Sequence, residues 1–475
     1  MKITRQTGRK DSPRTAGSTS PRRHAWKALL AIDNQSTGID HSLEQCFNRH
    51  GKNLDNHSRA LITNLVSGTI KWQRRLDWII DRLSKRKKGP DPKTRNILRL
   101  ALYQLIFLSG SPPYAVVSET VKLAKREIPG REGFINGMLR TYLRTEPTSL
   151  FPNPETEPII FMGVRHSLPE WLISSWLTDY GPLLTEKLCR QANEFSGTTF
   201  RINSLQTNRD DFLELLASQE NTADAITTSG NITRTLYAPE GFTARQAGGL
   251  LSSRHFQQGT ITVQDEGAQL ISYLLHPTAG QIILDACAAP GGKAWHLAEI
   301  SGDQGTIIAA DISEKRTRLV ADAGKRLQLN SVKPLVADLR RPLPPETPQS
   351  FDGILVDAPC SGLGVLRRRA DLRWRKQPED LEQLATIQLQ ILKNCSTYLK
   401  KGGRLVYATC TTSKKENQGV IERFLGEQPD FSLLSPAQLT PSWIRPWFSK
   451  EGYLQTFFFE PGGLDGFFAA VLQRR

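Results

Sequence analysis

Two cysteines stand in turn-like sequence just past apolar, strand-like runs. Cys360 lies in DAPCSG, directly after FDGILV, and Cys410 lies in YATCTT, directly after GRLV. A free cysteine often behaves as a small hydrophobe, but a turn displays its side chains. A thiolate displayed there can add to an electron-poor ring and leave again afterwards. An electron-poor ring is a poor nucleophile until a thiolate adds to it; the carbon beside the new bond then has enamine character and can attack an electrophile. A second group must stabilise charge on the ring, and Asp357, three residues before Cys360, is the candidate, as a proton donor. Spacing alone leaves open which cysteine attacks. Cys46, Cys189 and Cys395 lie in helical patterns without such display.

These side chains need a sheet to hold them. From residue 263 to the end, QIILD, WHLAEI, TIIAAD, SEKRTRLVADAGKRLQL, VKPLVAD, FDGILVD, a long helical stretch from Pro378 to Leu399, GRLVYAT and ENQGVIERFL alternate. Apolar strands separated by amphipathic helices predict a parallel sheet covered on both faces. FFFE and GFFAAVL near the end are expected to pair as an antiparallel edge hairpin.

In such a sheet ligands sit at the carboxyl ends of strands near the point where strand order reverses. The first strand leads through Asp285 into Cys287, Ala288, Ala289, Pro290, Gly291, Gly292 and Lys293, small residues and glycines that let a ligand approach the backbone. The pattern is neither GxGxxG nor GxxxxGK[ST], which disfavours a dinucleotide or a triphosphate. The next three strands end at Asp311, Asp338 and Asp357. Asp311, 19 residues after Gly292, can accept both hydroxyls of a ribose. A nucleoside cofactor without a pyrophosphate points to S-adenosylmethionine.

The rest of the chain supplies the partner. Its 475 residues divide into several domains, and a net charge of +15 favours a polyanion, nucleic acid first. Six scattered cysteines without a CxxC pair exclude a disulfide scaffold and argue against a structural zinc, so no metal is expected. The longest apolar stretch, 97–108, is interrupted by Arg99 and Gln104 and falls short of a membrane span. A soluble, cytoplasmic monomer is expected. Residues 1–22 read as a disordered basic arm, 23–146 as an all-α domain, 147–165 as a proline-rich linker, 166–262 as a small α+β module and 263–475 as a Rossmann-like α/β domain. Lys85, Arg86, Lys87 and Lys88 before a helix cap, and Arg367, Arg368 and Arg369 beside the proposed site, are candidate phosphate contacts. A target base must be unpaired or extruded to reach a thiol, so single-stranded or looped RNA is expected.

DACAAPGGK, DAPCSGLGVLRR, YATCTTSKKEN and GLDGFFAAVLQ resemble the motifs of the RsmB and NSUN family of RNA cytosine-5 methyltransferases. LVSGTIKWQRRLDWII, ILRLALYQLIFL and GFINGMLR resemble the antitermination factor NusB, and that pairing is typical of family members that methylate 16S ribosomal RNA. The resemblance covers nearly the whole chain after about residue 22. It implies that 287–293 line the methionine and adenosine of S-adenosylmethionine, that Asp311 holds the ribose and Asp338 the adenine edge, and that Asp357 lies beside cofactor and target base. It also implies Cys410 as nucleophile, with Cys360 assisting release of the methylated RNA. Ala294, Thr411, Ala370 and Leu168 depart from residues usual in the family without removing a nucleophile or a cofactor acid. The rival expectations are methylation of transfer RNA or another ribosomal position, and an RNA-binding adaptor that has lost activity.

Overall fold

The computed structural model describes residues 20–475 apart from 36, 51–53, 85–87, 195–196, 219–231, 440 and 460–463. The expected basic arm up to residue 19, and Lys85, Arg86 and Lys87, lie outside the described residues. The chain forms two compact units, one ending at Ser167 and the other starting at Leu168.

The first unit is all helix: α1 (Pro21–Gln35), α2 (Ile39–His50), α3 (Asn56–Lys71), α4 (Gln73–Leu83), α5 (Pro92–Phe107), α6 (Pro113–Glu127), α7 (Glu132–Arg144) and α8 (Pro158–His166). Helix α5 packs against α1, α3, α4, α6 and α7. Asp91 starts it by accepting from the Thr94 backbone N–H at 3.1 Å, with Pro92 in the first turn, where a missing N–H costs nothing. The polar residues that interrupt its apolar run are both satisfied. Arg99 donates twice to Asp77, at 2.7 and 2.6 Å, and Gln104 donates to the Leu100 carbonyl at 2.8 Å.

The expected linker 147–165 is corrected. Pro147–Leu150 form a 3-10 turn whose Leu150 carbonyl accepts from Trp78 Nε1 at 2.7 Å. Pro158 is then the first residue of α8. Prolines read as breakers here open helices, because only the first turn tolerates them.

The second unit opens with α9 (Glu170–Gln191), broken at Gly181, whose φ of 73° favours glycine. Next come β1 (Thr198–Ile202), α10 (Arg209–Ser218), β2 (Ile232–Arg234), β3 (Gly241–Ala244), α11 (Gly248–Ser252), α12 (Arg254–Gln257) and β4 (Ile261–Val263). The four strands form an antiparallel sheet in the order β2-β3-β1-β4, closed over Phe200, Phe212 and Phe242.

The larger sheet follows, through α13 (Glu266–Leu275), β5 (Ile282–Ala286), α14 (Gly292–Ile300), β6 (Thr306–Asp311), α15 (Glu314–Leu327), β7 (Val332–Val336) and β8 (Phe351–Asp357). It continues with α16 (Leu372–Arg375), α17 (Pro378–Ser396), β9 (Leu399–Thr409), α18 (Gln418–Glu427), β10 (Phe431–Leu433), β11 (Tyr453–Gln455) and β12 (Phe468–Arg474). Strand order is β10-β12-β9-β8-β5-β6-β7, parallel from β9 to β7, with β12 antiparallel to β9, β10 and β11. Side chains alternate as a strand requires. Ile283, Leu355 and Val406 join α13 and α14 on one face, and Leu284, Ile354, Val356 and Leu405 join α17 and α18 on the other.

The expected hairpin of FFFE with GFFAAVL is also corrected, because β11 and not Phe457, Phe458 or Phe459 pairs with β12. Past Thr456, Phe458 turns inward against Trp176 of α9, their ring centroids 6.4 Å apart.

Candidate active site

The strand order reverses between β5 and β8, which are adjacent and parallel although β6 and β7 come between them in sequence. Ligand sites of open α/β sheets lie at such a point, beyond the strands' carboxyl ends. Three loops meet here, those after β5, β8 and β9.

The loop after β5 runs from Cys287 to Gly292, the first residue of α14. Gly291 has φ 104°, which strains any side chain, and a Cβ on Gly292 would meet only Gln264, in ordinary contact at 3.9 Å. Asp311, at the end of β6, accepts from the backbone N–H groups of Ala289 at 3.3 Å and Ser313 at 2.9 Å. Asp285 is fully buried, and neither of its carboxylate oxygens has a hydrogen-bond partner. Burial, then the charge of Asp357, pushes its carboxyl well above the usual range. A glycine cradle, an acid at the next strand end and an orphaned acid beneath them fit a hydroxyl-bearing, cationic nucleoside such as S-adenosylmethionine. Asp338 lies just past β7, gripped by the Arg340 guanidinium at 2.9 and 2.7 Å, which holds its carboxyl down near about 2.

The loops after β8 and β9 carry the two cysteines. The Ala358 N–H donates to the Ala408 carbonyl at 2.9 Å, and the Gly364 N–H to the Cys410 carbonyl at 3.0 Å. Gly364 admits no side chain, since a Cβ would sit 1.9 Å from the Gly466 carbonyl oxygen. The turns thereby bring Cys360 Sγ to 3.4 Å from Cys410 Sγ, with both residues half-buried. The hydrogen bond to Cys410, then burial and the charges of Cys410 and Glu416, hold the Cys360 thiol well above its ordinary value. Lys293 Nζ donates to Asp357 at 2.7 Å. Burial works against that ammonium, but Asp357, with smaller contributions from Cys410 and Asp285, outweighs it and keeps the amine charged. Asp357 Oδ2 is thereby engaged by the Lys293 ammonium. Cys189 and Cys395 are buried in the core, where burial pushes each thiol up to about 12.

Beneath the cysteines lies a residue whose role the sequence did not reveal. Glu416, fully buried, accepts from the Ser361 N–H at 2.8 Å, Ser361 Oγ at 2.5 Å, Gln388 Nε2 at 3.0 Å and Thr411 Oγ1 at 3.3 Å. Ser361 follows Cys360 and Thr411 follows Cys410, so one carboxylate ties both turns. The available signal was an acid in TTSKKEN, six residues past Cys410. A second such residue is Arg201 of β1, whose guanidinium donates to Glu299 at 2.6 and 3.1 Å and to the Gly292 carbonyl at 3.1 Å. The small antiparallel sheet thus braces the start of α14.

The arginine run is corrected in part. Arg367 is buried on Asp465 at 3.1 Å, and Arg368 pairs with Asp465 at 2.7 Å and Asp265 at 2.8 Å. Their charges answer two acids that close the C-terminal segment onto the sheet; Arg367 is thereby buried, whereas Arg368 keeps an exposed edge. Arg369 and Lys88 are exposed. Among the described residues no group of His, Cys, Asp and Glu could hold a metal, and no helix is long and apolar enough to cross a membrane.

A parallel sheet with a glycine turn and strand-end acids at its switch point, joined to a small antiparallel module and a helical domain, defines an S-adenosylmethionine-dependent RNA methyltransferase. Residues 272–473 match the model of the 16S rRNA methyltransferase RsmB/F family, 19–144 that of the NusB family and 168–231 that of the RsmF/B-like ferredoxin-like domain. The chain is 33% identical over 461 residues to the probable ribosomal RNA small subunit methyltransferase B of Bacillus subtilis, covering 96% of this chain and 99% of that one. It is 36% identical to the protein of the same description from Synechocystis, with the same coverage. Among solved structures, PH0851 superposes with a TM-score of 0.77 at 25% identity over 96% of this chain and 99% of that one. NSun6 from Pyrococcus horikoshii, determined with the S-adenosylmethionine analogue SFG, gives 0.54 at 20% identity over 64% and 98%. The chain belongs to the RsmB/F methyltransferase family.

Proposed function

We propose that this chain methylates carbon 5 of a specific cytosine in 16S ribosomal RNA through a covalent cysteine adduct at carbon 6. The observation that carries this reading is the 3.4 Å approach of Cys360 and Cys410 beside the Lys293–Asp357 pair, at the sheet's switch point. S-adenosylmethionine, held by Cys287 to Lys293, Asp311 and Asp338, supplies an electrophilic methyl group. Cys410 adds to carbon 6 of an extruded cytosine, its thiol proton being taken up at N3, while Asp357 sits at the base's N3 and amino edge and Lys293 holds that carboxylate in place. Carbon 5 of the resulting enamine would take the methyl group, and the cofactor would leave as its neutral thioether. Water takes the proton from carbon 5 as the carbon 6–sulfur bond breaks, and Cys360, which its burial and its contact with Cys410 keep protonated, assists departure of the Cys410 sulfur. The names of the Bacillus and Synechocystis relatives support ribosomal RNA of the small subunit as the substrate.

Two variants test the assignment. Cys410→Ala abolishes both methyl transfer and any adduct that survives denaturing electrophoresis, whereas Cys360→Ala accumulates the adduct. An adduct formed by Cys410→Ala and not by Cys360→Ala reverses the two roles. Bisulfite sequencing of ribosomal RNA from a deletion strain tests the substrate: one methylcytosine disappears from 16S RNA, and an unchanged pattern there refutes that choice.

A further inference from the structure

Phe457, Phe458 and Phe459, which form no strand, build a surface that the chemistry above does not use. Phe458 is buried, while Phe457 and Phe459 on either side of it are half-buried and stacked on one another, with centroids 5.1 Å apart and planes 7° from parallel. Tyr180 meets Phe457 edge to face at 5.3 Å. Two exposed lysines cap this cluster: Lys187 Nζ lies 5.7 Å from the Phe459 centroid, and Lys414 Nζ 5.3 Å from that of Tyr180. Leu183, on the same helical face as Lys187 one turn earlier, is 78% exposed.

The cluster is fastened to the nucleophile turn. Tyr180 OH donates to the Thr412 carbonyl at 2.5 Å, and Trp176 Nε1 to Thr412 Oγ1 at 2.9 Å. Thr412 is two residues past Cys410. Of the charged groups nearby, Lys187, Lys414 and Lys415 outnumber Asp179 and Glu186, and Asp179 already accepts from the Lys414 backbone.

We infer that Phe457, Phe459 and Tyr180, with Lys187 and Lys414, form a stacking platform for an unpaired nucleotide of the RNA strand that flanks the target base. The inference rests on the proposed function for its choice of RNA. A base stacked on an aromatic ring gains more than an exposed lysine resting over it. An incoming base therefore displaces the Lys187 ammonium from Phe459, and that ammonium is then free for the adjacent phosphate. Extruding a base from a strand also requires its neighbours to be held, and this platform is anchored two residues from the attacking thiol.

The test uses the full chain and a short fluorescein-labelled oligouridine, which contains no cytosine and so bypasses the cysteine chemistry. Phe459→Leu keeps the apolar volume and removes the π face; its affinity, read by anisotropy, falls about tenfold, or about 1.4 kcal/mol. Lys187→Ala lowers the slope of log affinity against log salt by about one. Ultraviolet cross-linking with a halogenated oligouridine labels the peptide that carries Phe457 and Phe459. Wild-type affinity in Phe459→Leu, at an unchanged melting temperature and unchanged S-adenosylmethionine binding, overturns the platform, as does cross-linking confined to the helical domain. Oligouridine binding that depends on Phe459, in a chain that transfers no methyl group, upholds the platform and refutes the proposed function instead.

Discussion

Removing the Glu416 carboxylate tests whether the geometry of the two cysteines is held from below. In Glu416→Ala, Ser361 Oγ and Thr411 Oγ1, 2.7 Å apart, satisfy one another, and Gln388 keeps its bond to the Pro359 carbonyl at 2.9 Å. The Ser361 N–H alone loses its partner outright, which costs about 1–3 kcal/mol, and one buried methylene is lost at about 0.8 kcal/mol. Relief of a buried charge, whose pKa burial raises against the hydrogen bonds it accepts, offsets part of this. A net loss of about 2–3 kcal/mol leaves the chain folded. The effect on catalysis is larger, because Ser361 and Thr411 adjoin the two cysteines. A misplacement of about 1 Å costs about a hundredfold in rate, equivalent to about 2.7 kcal/mol. Single-turnover transfer of a tritiated methyl group therefore slows about a hundredfold, while calorimetric affinity for S-adenosylmethionine stays within about threefold. Glu416→Gln restores most of the rate, since its amide oxygen accepts from the Ser361 N–H and its amino group donates to rotated hydroxyls. A Glu416→Ala rate within threefold of wild type, or equal loss in both variants, refutes the positioning role.

Arg201→Ala leaves Glu299 buried without its partner and destabilises the chain by about 3–5 kcal/mol in urea unfolding. Arg201→Lys does not restore it, because one ammonium cannot serve both oxygens of Glu299 and the Gly292 carbonyl together; recovery with lysine would contradict this account. Glu266, at the start of α13, is pushed up to about 7 from 4.5 by burial, against bonds from the Tyr237 and Ala238 N–H groups. The folded chain holds that proton where the unfolded chain has released it, so stability falls as pH rises from 4.5 to about 7, by up to about 3 kcal/mol. Glu266→Gln removes the loss, melting higher than wild type near about pH 8 and equally near about pH 4; a difference that does not vary with pH refutes the assignment.

The parts of the site legible in the sequence are those whose logic is local. A strand's apolar run ends where its first acid stands, so Asp285, Asp311 and Asp357 could be read along with the strands that display them, and Gly291 and Gly292 announced a backbone that a ligand must approach. The helix start at Asp91 and Pro92 was legible for the same reason, since a cap bonds within its own turn.

Residues whose meaning depends on a distant partner were not legible. Arg367 and Arg368 read as a phosphate-facing run because their partners are not local: the nearby Asp371 pairs with Arg375, and their own acids, Asp265 and Asp465, are about a hundred positions away on either side. Glu416 finds Ser361 across 55 residues, and Arg201 finds Glu299 across 98. Hydrophobic period records which face of an element is covered, but not which polar side chain waits beneath the cover. A buried charge without its partner is expensive enough that its presence in an apolar pattern implies a mate somewhere in the fold. The pattern withholds the mate's address, because sheet order, with β8 inserted between β5 and β9, decides which strand ends become neighbours. For this chain that order matters chemically: it sets Cys360 and Cys410, fifty residues apart in sequence, against each other over one carboxylate.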